Sequence, residues 1–101
     1  MRNGSNPPQS PFEKRGSVKK MVQHIRENIR VAVIFGPGNR IAPVWFDWRR
    51  RKHTVKEVTY TWQERQGEAT ILHFAVSDGA DLFELAYNAD IQRWDLMAVD
   101  R

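Results

Sequence analysis

Apolar residues between Ser17 and Ile29 fall at helical spacing. Val18, Met21, Val22, Ile25 and Ile29 line one side, and Lys19, Lys20, Gln23, His24, Arg26 and Glu27 line the other. The pattern predicts one amphipathic helix over residues 17–28, with Ser17 as its N-cap. Such a helix ordinarily covers a core and leaves its cations in water, although a basic polar face also suits a membrane surface or a nucleic acid. After Arg30 the period drops to two. Val31 to Phe35 reads as a strand and Gly36-Pro37-Gly38-Asn39 as a turn. No Gly-Lys-Ser/Thr and no helical pattern follows that turn, which argues against a phosphate-binding loop.

Five further strands follow by the same alternation. Ile41 to Trp48 places Val44, Phe46 and Trp48 on one face, and Arg49 to Lys52 forms the next turn. His53 to Trp62 is rich in Val, Thr, Tyr and Trp, but its parity slips. A β-bulge at Lys56-Glu57 would put His53, Val55, Val58, Tyr60 and Trp62 on one inward face. Gln63 to Glu68 reads as a charged loop. Ala69 to Val76 directs Leu72, Phe74 and Val76 inward and Ile71 and His73 to the opposite face, and Ser77-Asp78-Gly79 is a hairpin turn. Asp81 to Tyr87 turns Phe83, Leu85 and Tyr87 inward, and after Asn88-Ala89-Asp90 the last strand, Ile91 to Val99, buries Trp94 and Leu96. Connections this short allow antiparallel neighbours only. The expected fold is mainly β: a small, strongly bent six-stranded antiparallel meander or partly open barrel, with one N-terminal helix against an open end or edge.

Composition narrows this picture. The 101 residues make one domain, and residues 1–16, rich in Asn, Pro, Ser, Gln and Gly, read as a disordered polar tail before a single domain over 17–101. A domain of that size buries only about 60% of its unfolded surface. With no cysteine there is neither a disulfide nor a thiolate–metal site, and eleven Trp, Phe and Tyr residues must supply the core instead. No segment approaches the apolar length of a transmembrane helix, so a cytoplasmic protein without a membrane partner is expected.

Charge is polarised along the chain. Residues 1–30 hold seven Lys/Arg against two Asp/Glu, residues 40–56 hold six against Asp47 alone, and residues 57–101 hold three against nine. The expected domain therefore has one basic edge on an otherwise acidic body.

That edge is Trp45-Phe46-Asp47-Trp48-Arg49-Arg50-Arg51-Lys52-His53, where an aromatic strand end meets four consecutive cations. Arg49, Arg50, Arg51 and Lys52 suit phosphate contact, and an exposed tryptophan suits base stacking. Trp48 and Trp62 share the expected inward face, whereas Trp45 has the opposite parity and is the stacking candidate. The structural alternative is a hairpin tip kept soluble by its charges. Other chemistry is poorly supported. His24, His53 and His73 have no metal-ligand spacing. The acids Asp78, Asp81, Asp90 and Asp100 sit where turns and strand ends put acids, and Ser77 beside Asp78 is expected to bond its own backbone. No catalytic residue, metal or cofactor is predicted.

Pro43-x-x-Phe46-x-Trp48-Arg49-x-Arg51, then Val55-x-x-Val58, a strand ending in Trp62, and Phe83-Glu84-Leu85 with Trp94-x-Leu96-x-x-Val99 together resemble an uncharacterised family of small bacterial proteins. The resemblance covers about Pro43 to Asp100 and implies a small all-β domain without an established activity. The family's turn reads Trp-Arg-Gly-Arg, followed by an aromatic residue. Here Arg50 replaces the glycine and His53 the tyrosine, so the turn is expected to be either longer or strained. The expected function is a non-catalytic binding domain that meets single- or double-stranded nucleic acid through the basic hairpin. The alternative is a protein–protein adaptor or homodimer using a sheet edge or the polarised charge.

Overall fold

The computed structural model describes residues 22–38 and 40–101. The chain forms β1 (Val22–Asn28), β2 (Arg30–Gly36), β3 (Arg40–Trp48), β4 (Arg51–Thr54), β5 (Glu57–Gln66), β6 (Ala69–Ser77), β7 (Leu82–Asn88) and β8 (Arg93–Asp100). These strands build two antiparallel sheets, one ordered β1-β8-β7-β6-β5 and the other β2-β3-β4. The six-stranded arrangement with an N-terminal helix is therefore incorrect in two respects: there are eight strands in two sheets, and no helix among the described residues.

The helix fails at β1. Residues 22–28 pair with β8, from Val22 opposite Asp100 to Asn28 opposite Asp95. Residues 17–21 and the proposed tail 1–16 lie outside the described residues. The register skips between His24 and Glu27, and Arg26 takes a left-handed φ of 59°. A bulge of this kind moves the apolar positions from one face to the other. Val22 packs against Ala75 and Ala98, while Ile25 and Ile29 pack on the main core. A bulged strand thus presents apolar residues at intervals of three and four, which is the spacing of a helix.

The additional strands arise because two continuous runs of chain cross between sheets. At Ile29 the backbone N–H still donates to the Trp94 carbonyl at 3.1 Å, and the next residue begins β2 in the other sheet. At the second corner, Val55 N–H donates to the Val44 carbonyl at 2.9 Å and Lys56 N–H to the Ser77 carbonyl at 2.8 Å. The interruption therefore begins one residue before the expected bulge. A second register skip follows between Val58 and Tyr60. The five side chains expected on one face are divided accordingly. His53 is buried and Val55 packs on the core, whereas Val58 and Tyr60 are exposed and Trp62 stacks on His73 in the other face of the large sheet. Gln63 to Gln66 continue β5 rather than forming a loop, and the turn is only Gly67-Glu68.

Between the sheets, Phe46 and Trp48 of β3 meet Phe74, Val76, Phe83, Leu85, Trp94, Leu96 and Val99 of the five-stranded sheet. Phe46 and Phe83 pack edge to face with centroids 5.0 Å apart. Each fully buried side chain of this size contributes about 1.5–3 kcal/mol of hydrophobic stabilisation. Three strands do not cover all five opposite. On β5 the positions sharing the inner face with Phe74 and Leu72 are Thr61 and Gln63, both polar and exposed. No helix among the described residues is long and apolar enough to cross a membrane.

Candidate nucleic-acid interface

The basic segment closes the β3–β4 hairpin. Asp47 pairs with Lys52 and Trp48 with Arg51, which leaves Arg49-Arg50 as a two-residue turn. Arg51 and Lys52, expected in the turn, belong to β4. Arg49 and Arg50 have φ of 53° and 64°. Positive φ at both central residues is the type I′ requirement that Asn-Gly meets most easily. For arginine the left-handed conformation costs about 1–2 kcal/mol per residue. The turn is therefore short and strained, which decides between the two alternatives raised by Arg50 standing in place of glycine.

Strand alternation separates the four cations. Lys52 shares the outer face of the small sheet with Trp45, and its Nζ lies 5.0 Å from the Trp45 ring centroid. Arg51 is opposite Trp48 on the other face, and Arg49 and Arg50 form the tip. The Arg49 guanidinium lies over the Trp48 ring at 4.5 Å and reaches Glu27 Oε2 at 4.0 Å. Trp48 also donates from Nε1 to Glu27 Oε1 at 3.1 Å and is 3% exposed, so it is a core residue unavailable to a base. Arg50, Arg51 and Lys52 have no carboxylate partner among the described residues.

Two cations distant in sequence join this end. Arg101 lies over Trp48 at 5.3 Å. Arg30 lies 5.6 Å from the Trp45 ring centroid and donates twice to Asp47 Oδ2, from Nε at 2.9 Å and from a terminal nitrogen at 2.5 Å. Period-two alternation from Arg30 through Ala32 marks Arg30 as outward, but only the β2–β3 register shows that it reaches Trp45. Trp45 itself is half-buried in a row between Ala32 and Thr54.

Trp62 departs from its expected inward position. Its ring stacks on His73 with centroids 4.9 Å apart and planes at 6°, beside the exposed Tyr60. His73 is buried between two carboxylates, Glu64 Oε1 at 2.5 Å from Nε2 and Glu84 Oε2 at 3.3 Å from Nδ1. Both contacts lie within polar reach, but their angles do not satisfy hydrogen-bond geometry. The acids make this face a poor phosphate site. The outward turn of β5 has no signal in the alternation, because a corner at Val55–Lys56 and a register skip at Val58–Tyr60 each reset its parity.

His53 is buried with its ring stacked on Phe46 at 5.0 Å, and its Nδ1 lies 3.4 Å from Asp78 Oδ2. Burial alone would push the Asp78 carboxyl up. The backbone N–H groups of Asp81 and Ala80, together with His53, outweigh it and hold the carboxyl below its ordinary value. Ser77 Oγ accepts a bond from Gly79 N–H at 3.0 Å, the local role expected of a hydroxyl in such a turn. Among the described residues no three His, Cys, Asp or Glu side chains group so as to hold a metal ion. Comparison with protein-family models, curated proteins and solved structures finds no match for this chain, so its own residues are what bear on its function.

Proposed function

We propose that this protein is a non-catalytic, cytoplasmic binding domain that meets nucleic acid at the β3–β4 hairpin. Arg49, Arg50, Arg51 and Lys52 contact phosphates, and Trp45 stacks. The observation that carries this reading is the Arg49-Arg50 turn: two arginines hold left-handed φ where glycine would relieve the strain. Strain of this kind at an exposed, highly charged tip supports a role for the charges themselves. The resemblance to small bacterial all-β proteins adds no reaction to this reading.

Binding to single- and double-stranded DNA and to RNA should be measured across a salt series. Four phosphate contacts give a log–log slope of about −3. Changing Arg49, Arg50 and Arg51 together to Glu should flatten the slope and leave the fold intact. Absence of binding at low salt would reject the reading.

A second reading, a protein adaptor or homodimer, is favoured by exposed apolar residues elsewhere. Ile34 and Phe35 near the β2–β3 turn are 60% and 70% exposed, and Tyr60 on edge strand β5 is 44% exposed. Sedimentation as a strict monomer over a wide concentration range would remove the homodimer from consideration.

A further inference from the structure

We propose that the nucleic acid taken at this site is single-stranded, with one unpaired base stacking on Trp45 in the place that Lys52 holds over the indole. Lys52 then moves to the adjoining phosphate. The inference rests on the reading that the basic hairpin binds nucleic acid, and it specifies which form.

The two cations beside Trp45 are held differently. Arg30 is fixed by two bonds from its guanidinium to Asp47. Among the described residues Lys52 has no carboxylate partner, and its ammonium rests against the ring at 5.0 Å. An exposed ammonium–ring contact is weak and is readily exchanged for a phosphate. Trp45's row neighbours, Ala32 and Thr54, are small. Displacing Lys52 therefore frees the part of the ring that it covers, with Arg30 remaining alongside, and delivers a cation to the backbone next to the stacked base.

Duplex nucleic acid cannot use this arrangement. Its base faces are occupied by their neighbours, and its grooves present edges. A half-buried indole on the outer face of a sheet finds a stacking partner only where a base is unpaired, and such stacking tolerates any base because each has a flat face. The flanking Arg30 suits the same polyanion. Trp62 does not offer an equivalent platform, because it is stacked on His73 with Glu64 alongside.

The full chain should be titrated with a labelled oligothymidylate and with an A·T duplex of equal length. The single strand should bind about tenfold more tightly at equal salt. Trp45→Leu, which keeps an apolar residue in the row, should lose about tenfold for the single strand and little for the duplex. Lys52→Ala should reduce the salt slope by about one. Equal affinity for the two forms, or a single-strand preference that Trp45→Leu leaves untouched, would overturn this inference while the basic-hairpin reading stands. Failure to bind either form would overturn both. If Trp45→Leu does not fold, the comparison of the two probes on the unmodified protein still decides single strand against duplex.

Discussion

Arg50 combines a backbone cost with an exposed charge. At φ 64° its Cβ is crowded, and glycine at this position would be unstrained. Arg50→Gly should therefore raise stability by about 1 kcal/mol, seen as a higher denaturant midpoint at unchanged m-value. The same change should weaken nucleic-acid binding and make the salt slope shallower by about one. Stability and binding moving in opposite directions would mark the arginine as retained for its charge. A gain in stability without loss of binding would leave the strain without a functional explanation. Asp78 sets a pH dependence at the same scale. Its carboxyl is held below the ordinary value in the folded protein, so the unfolded chain takes up its proton first as pH falls. The stabilisation is complete above the unfolded value of about 3.9 and is lost as pH falls through the lower folded value. Asp78→Asn should be less stable than the parent at neutral pH, and the gap should narrow below about pH 4, as thermal melts across a pH series would show.

Among the elements, β5 separates what alternation reveals from what it hides. The inward residues of β3, β6, β7 and β8, including Phe46, Phe74, Phe83, Leu85 and Leu96, were legible because each strand stays in one sheet and is covered by the other. Alternation holds only within such a strand. Nothing in hydropathy marks the Val55–Lys56 corner or the Val58–Tyr60 register skip, and beyond them the apolar side of β5 faces outward. A bulge likewise made β1 look helical. The basic hairpin was legible as a run of cations, but the pairing of Arg30 with Trp45 depends on a contact across strands. The β5 geometry has a measurable consequence: Tyr60→Lys should change stability by no more than about 0.5 kcal/mol, the range of exposed substitutions. An inward aromatic would lose about 3–5 kcal/mol on truncation. Any self-association through β5 should weaken in the same variant, as sedimentation would show.

Across the whole molecule, the two corners link the sheets so that the chain rarely needs to bring distant segments together. Five of the six strand pairings join strands consecutive in sequence, and only β1 with β8 connects the two ends of the described chain. Its Val22–Asp100 register closes a far longer loop than any hairpin does. The ordering cost of that closure must be met before its contacts contribute, which makes it the slow step in assembling the fold. The hairpins of β6, β7 and β8 are expected to form early and β1 to dock last. The reverse sequence governs opening: amide exchange should be fastest in β1 and slowest in β7, and uniform protection would contradict this order. Glu27 rides on β1, where it holds both the Trp48 indole N–H and the Arg49 guanidinium. A departure of β1 would therefore carry the Glu27 carboxylate away from Arg49, so the segment expected to dock last in folding also bears on how much positive charge the hairpin tip presents.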